Sequence, residues 1–333
     1  MSQETAEWLN QNVLIGFTDR RGHAWHYRAS KQGAEPNHYR EAIPVPDVQR
    51  RLFNWEAVPA EVLTRSPQHG LRLTRRKGII ASDTGDDLGV FGRDYEIHQY
   101  QDWLVDKVVS VLDNGLSVGS AGLLKGRAQA WVSVELPENI RTREGVEYRP
   151  NLLACTSHDG SLKTTYKRTV INVVCDNTMG IALAGGGRVI KIKHSPNSRL
   201  DVLSAREALD VVTILGDDFA AQVRALCETE VPEKTWNEFV RAHVPDGESD
   251  RSKINASAHR AELHRLWTSD SRVEPWKGTA WGVVQAVNTY GHHYASVRGA
   301  SRAQRAIEHT VTSHAEKTDN ATLATLDKVL AAA

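Results

Sequence analysis

Cysteine is scarce in this chain: Cys155, Cys175 and Cys227 are the only three among 333 residues. So small and odd a set excludes a secreted disulfide scaffold and favours a reducing compartment. No apolar run approaches the roughly 18 residues that a membrane-spanning helix requires. The first residues, Met1-Ser-Gln-Glu-Thr-Ala-Glu7, lack a basic stretch followed by an apolar one. A signal peptide is therefore not expected, and the expected location is the host cytoplasm. Net charge is absent as well, because 41 Lys+Arg balance 41 Asp+Glu. Also missing are G-x-x-x-x-G-K-[ST], G-x-G-x-x-G and H-E-x-x-H, which disfavours P-loop hydrolysis, dinucleotide binding and zincin chemistry. What is present, 40% hydrophobic and 25% charged residues, is ordinary globular composition. It excludes disorder, collagen and coiled-coil rods as the main architecture.

The neutral total hides an uneven distribution. Residues 1–80 carry four more bases than acids, 81–140 six more acids, 141–200 six more bases and 201–333 four more acids. Two basic blocks stand out: Arg65 to Lys77, with no acid between Glu61 and Asp83, and Lys163 to Arg199, whose one acid is Asp176. Such local fields attract phosphate whatever the total charge. Alternating sign also suits head-to-tail self-association, acidic blocks of one subunit meeting basic blocks of the next.

Asn12–Thr18 and His23–Arg28, flanking Asp19-Arg-Arg-Gly22, predict a β-hairpin. Residues 30–47, with three prolines, predict an irregular arm, and Val48–Trp55 a short helix. Leu71–Thr74 and Gly78–Ser82 predict a second hairpin, closed by the turn Asp83–Asp87. From Gln101 to Leu112 apolar residues recur at i, i+3, i+4, an amphipathic helix stopped by Asn114-Gly115. Strands are expected over Leu116–Leu124, Ala128–Leu136, Val146–Ser157 and Ser161–Val174, then a strand into a short helix over Cys175–Leu183 and a strand over Val189–His194. The remainder predicts five or six helices, with capping boxes at Ser204–Glu207 and Thr235–Glu238. The expected class is α+β: an antiparallel β-meander core with flanking helices, then a mainly helical C-terminal half. The expected divisions are hairpins and arm over 1–95, helix plus sheet over 96–200, and a helical region over 201–333.

Several motifs tempt and fail. Gly115-Leu-Ser-Val-Gly119 matches G-x-S-x-G, but that elbow needs a strand before and a helix after. Asp83-Thr-Gly85 resembles an aspartic-protease motif, yet Asp86 and Asp87 crowd it with charge. Cys155, His158, Cys175 and His194 offer four zinc-ligand types at loose spacing; buried cysteines on strands are commoner. No metal, cofactor or catalytic residue is assigned.

What remains is basic groups interleaved with aromatics. Lys125 and Arg127 lead into Trp131; Arg141, Arg143 and Arg149 surround Tyr148; Lys163, Lys167 and Arg168 flank Tyr166; Lys191 and Lys193 precede His194. On a strand Lys163, Thr165 and Lys167 share one face, with Tyr166 and Arg168 on the other. Such a sheet face tracks a phosphate backbone and stacks bases.

Thr156-Ser-His-Asp-Gly-Ser161, Val173-Val-Cys-Asp-Asn-Thr178, Leu116-x-x-Gly-Ser-Ala-Gly-Leu-Leu-Lys-Gly126 and Gly278-Thr-Ala-Trp-Gly282 resemble the phage/plasmid-like protein family of actinobacterial phages, prophages and plasmids. The resemblance runs from about residue 8 to residue 331. It implies a mobile-element origin and brings no active site. The order helix, meander, helix is similar to the core of Rad-fifty-two-type and RecT-type annealing proteins, without a shared motif. The resulting expectation is a non-enzymatic phage protein that binds and anneals single-stranded DNA as a homo-oligomeric ring or filament. Its expected contacts are Lys125, Arg127, Trp131, Tyr148, Lys163, Tyr166, Lys167, Arg168, Lys191 and Lys193. The alternative is an anti-defence protein binding a host protein or nucleotide signal.

Overall fold

The computed structural model describes residues 6–23, 28–109, 116–135, 139–172, 177–179, 190–196, 219–297, 305, 308–309 and 314–332. Helix α1 (Ala6–Asn12) leads into strand β1 (Val13–Ile15), a helical turn α2 (Thr18–Arg21), an irregular stretch and helix α3 (Val45–Leu52). Strands β2 (Ala57–Ser66), β3 (Gly70–Ala81) and β4 (Asp87–Phe91) follow. Helix α4 is π-wound over Gln101–Asp106 and α-helical over Lys107–Val109. Next come β5 (Ser117–Leu124), β6 (Gln129–Glu135), β7 (Ile140–Arg141), β8 (Glu147–Ser157), β9 (Thr164–Asn172), β10 (Asn177–Met179) and β11 (Ile190–Ile192). The helices described after it are α5 (219–228), α6 (Glu233–His243), α7 (Asp250–Ser269), α8 (Ala280–Thr289) and α9 (His314–Ala332).

The strands form two antiparallel sheets. The larger runs β1-β5-β6-β8-β9-β10, with β11 also on β9 and β7 on β8; the smaller is β2-β3-β4. The class is thus α+β, with a meander followed by a mostly helical C-terminal half. Along β6 the side chains alternate between two covered faces. Ala130, Val132 and Val134 join Leu123, Leu152 and Tyr166 in the main core, against Val48 and Leu52 of α3 and Leu104, Val105 and Val108 of α4. Trp131 points the other way, into a cluster with Leu9, Val13, Leu124, Leu153 and Cys155. The polar residues between, Gln129, Ser133, Glu135, Arg149 and Asn151, are buried too, and Arg149 Nε lies 3.9 Å from Glu135 Oε2.

Trp131 has room because its cross-strand neighbour is Gly122. A Cβ at 122 would run into the indole ring. Gly122→Ala is therefore expected to cost about 1–3 kcal/mol through overpacking. Urea unfolding would show it as a lower midpoint at unchanged slope.

The smaller sheet is anchored at one end only. Ile79, Ala81 and Leu88 are core residues, whereas from Glu61 to Lys77 both strands stand in solvent apart from a few half-buried positions. Beside its base, β4 presses on the His158–Gly160 loop, where a Cβ on Gly89 would come 2.7 Å from the His158 carbonyl.

Three expectations change. The first hairpin lacks its tight turn: Val13–Ile15 pairs with β5 at the edge of the large sheet, Thr18–Arg21 is helical, and most of the second arm, 24–27, lies outside the described residues. Leu71–Thr74 and Gly78–Ser82 are not two arms; all but Ser82 lie on β3, and the 83–87 turn closes it onto β4. Thr235 is not a cap, since α6 starts at Glu233 behind Pro232 and Thr235 is buried inside its first turn. Real caps stand at Ser249 and Thr279, whose side chains accept from the Ser252 and Gly282 amides. The readings at Asn114-Gly115, Gly185–Gly187, Ser204–Glu207 and most of Arg302–His314 lie outside the described residues.

In the helical half, α8 carries no charge and is buried along its whole length, as a central bundle helix must be. Around it Trp236 and Trp267 stack at 4.3 Å, with Phe239, Leu263 and Leu266 beside them. Trp281 and Phe219 pack on Tyr148 and Val146 of the sheet region, and Trp276 Nε1 donates to the Glu144 carbonyl. Among the described residues no helix is long and apolar enough to cross a membrane.

Candidate nucleic-acid interface

The sheet does not carry the expected track. Trp131, Tyr148 and Tyr166 are buried, so no base stacks on any of them while the core is closed. Trp131 belongs to the α1-side cluster, Tyr148 packs on Phe219, and the Tyr166 hydroxyl donates to the Trp103 carbonyl. Lys167 falls on the face opposite Tyr166, as alternation predicts, but is 6% exposed and so withheld from a phosphate chain. Arg127 is spent inside the protein. Its guanidinium makes a bidentate pair with Asp83 at 3.0 Å and lies 3.9 Å over the Trp55 ring. That clasp holds a strained turn, since Lys125, Gly126 and Arg127 all have positive φ. The Arg168 side chain lies outside the described residues. Of the ten expected contacts, Lys125, Lys163, Lys191 and Lys193 are exposed, the last three around the end of the β9–β11 ladder.

The other basic block is better placed. Beyond its anchored base, the β2–β3 pair is a ribbon reaching roughly 17 Å, five residue steps from Glu61 to Ser66. It exposes Arg65, His69, Arg72, Arg75 and Arg76, and no carboxylate occurs from Val62 to Ser82. Among the described residues those four arginines form no ion pair. Lys77 is fixed at the base, its Nζ donating to the Tyr95 carbonyl at 2.6 Å. Register pairs Leu63 with Leu73 and Arg65 with Leu71 on one face, and Thr64 with Arg72 on the other. A bulge opposite Val62 widens β3, and the Thr74 hydroxyl accepts the Arg76 amide there. The sequence signal was the acid-free block itself, with Ser66-Pro-Gln-His-Gly70 as its turn.

A second constellation lies where β4 meets the sheet. Phe91, Tyr95, His194, His98 and Trp103 form one continuous ring stack, with successive centroids 3.9, 5.0, 4.1 and 3.8 Å apart. His158 stacks on Tyr100 at 4.1 Å beside Trp55. Burial, aided by the other imidazoles, pushes His98 and His158 down to about 3; burial takes His194 down to about 4. The Thr164 hydroxyl joins His98 Nδ1 (2.6 Å) to His194 Nε2 (3.3 Å). Stacked imidazoles do not converge on an ion, and among the described residues no cluster of His, Cys, Asp and Glu is disposed to hold one. Of the four zinc-type residues, Cys175 lies outside the described residues. Cys155 packs on the face opposite Thr156 and Thr164, the hydroxyls that hold His194, and burial pushes its thiol up to about 11. Ser157, His158 and Asp159 do not assemble as a triad: the Ser157 hydroxyl donates to the Leu162 carbonyl, and Asp159 accepts from Ser161. Asp83 is likewise engaged, by Arg127.

No curated protein and no solved structure matches the chain. Residues 87–315 match the family described as a domain of unknown function, DUF932, a shorter span than the resemblance read from the sequence. The ribbon precedes that span; β4, the meander, the histidine stack and most of the helical half fall inside it. With more than half of its length matched, the chain belongs to the DUF932 family.

Proposed function

We propose that this protein is a non-enzymatic polynucleotide-binding protein whose main contact is the β2–β3 ribbon. The observation that carries this is the set of exposed, unpaired arginines on a two-stranded element open to solvent, with no carboxylate among them. Cations so placed neutralise phosphates and release counterions. The ribbon lacks an aromatic platform, so its contacts are to the backbone and not to stacked bases. Lys163, Lys191 and Lys193 form a second phosphate-binding patch. Strand annealing in a phage or plasmid setting, within the host cytoplasm, is the biological role we attach to this binding. It rests on the resemblance to phage/plasmid-like proteins and on the order of elements.

The test is titration of labelled single-stranded and duplex oligonucleotides at low and moderate salt. Arg72→Glu/Arg75→Glu/Arg76→Glu is expected to weaken binding by about 100-fold. The slope of log K against log salt should shrink by about 0.7 per lost contact on a single strand. Unchanged affinity in the triple variant, or no binding by the parent protein at low salt, would sink this reading.

A further inference from the structure

The ribbon also exposes three leucines, Leu63 (51%), Leu71 (64%) and Leu73 (60%), on the face that carries Arg65. Three large apolar side chains in a row on a solvated ribbon are costly unless something covers them. Nothing among the described residues does. The helical half holds a surface of matching chemistry, an open groove of about 730 Å³ between the end of α5 and the start of α8. Its floor includes the buried Val231 and Trp267 with Pro232; its rim carries Glu228, Glu230 and Glu233, against a single cation, Lys277. None of the three glutamates is ion-paired among the described residues; Glu233 Oε2 accepts only the Trp267 indole N–H, at 3.3 Å.

We propose that the leucine face of the ribbon docks in this groove on a second copy of the chain. The leucines meet Pro232 above the buried Val231 and Trp267, and Arg65 meets a rim of carboxylates, so hydropathy and sign agree. The two surfaces are different patches, so the contact is heterologous and each bound copy leaves one ribbon and one groove open. Repetition closes a ring or extends a filament. This does not rest on nucleic-acid binding: Arg72 points from the opposite face of the ribbon.

Sedimentation and light scattering on the full chain test it. The parent protein is expected to assemble beyond a monomer with rising concentration. Leu71→Glu/Leu73→Glu and Glu228→Lys/Glu230→Lys/Glu233→Lys are each expected to be monomeric alone, with unchanged circular dichroism, since all five side chains are exposed. Mixed in equal amounts they should form a dimer and nothing larger, because one supplies the intact groove and the other the intact ribbon. A parent protein that stays monomeric overturns the proposal, as does either variant assembling like the parent. A mixture that fails to pair also overturns it, and points to a ribbon-to-ribbon contact or a foreign partner instead.

Discussion

Between pH 7 and pH 4.5 the protein is expected to lose a large share of its stability, with His158 the leading cause. In the unfolded chain an imidazole titrates near 6.5. In the native core His158 takes a proton only near pH 3, because burial against Tyr100 and Trp55 opposes its charged form. The unfolded state therefore binds more protons below pH 6.5, and stability falls as pH falls, the loss being complete only below about pH 3. Over the two pH units from 6.5 to 4.5 that difference is worth about 2 kcal/mol for a single group. His98 and His194 shift the same way and deepen the slope. Domains are commonly stable by only about 5–15 kcal/mol, so the decline should be plain in urea midpoints measured at several pH values. His158→Phe keeps a ring on Tyr100 but removes the proton, and should flatten the profile by about one proton's worth. An unchanged midpoint from pH 7 to 4.5 would contradict the buried neutral imidazole.

Trp236→Ala is expected to cost about 3–5 kcal/mol, the range for deleting a buried indole or phenyl ring. The ring is fully enclosed, lies flat on Trp267, and donates its N–H to His264 Nδ1 at 3.0 Å. Removal opens a cavity under α7 and leaves that imidazole nitrogen without its donor. Trp236→Phe should cost less, since a ring still covers Trp267. Because Trp267 also floors the groove, the alanine variant should weaken assembly as well. Chemical denaturation followed by circular dichroism reads the first effect, and sedimentation the second.

The meander was legible almost to the residue. Ala128–Leu136, where small and branched apolar residues recur with period two, became Gln129–Glu135, and Leu116–Leu124 and Val146–Ser157 became Ser117–Leu124 and Glu147–Ser157. What the alternation hid was the second covered face. Gln129, Ser133 and Glu135 look like solvent positions, and so made Trp131 and Lys167 look available; the cluster with Leu9 and Val13 is a contact across more than a hundred residues that no local pattern announces. The ribbon failed for the converse reason. With neither side of their outer halves packed, the length of β2 and β3 is set by cross-strand pairing, which no local pattern marks. The clasp of Arg127 on Asp83 was invisible for its sequence separation of 44 residues, although both ends had been singled out separately. The histidine stack draws on residues near 98, 158 and 194 that only the sheet brings together.

The outer margin of β2 has a bearing on how safely such a chain can be concentrated. Pro59 has no N–H to offer a newcomer, and the bulge that β3 carries opposite Val62 bends the ribbon just beyond it. Runaway stacking of identical chains, of the kind that builds amyloid, needs an unbroken template, and on β2 Pro59 interrupts it before the bare leucines begin. The protein can therefore display greasy side chains on an extended strand while hindering fibrillar growth from the β2 edge.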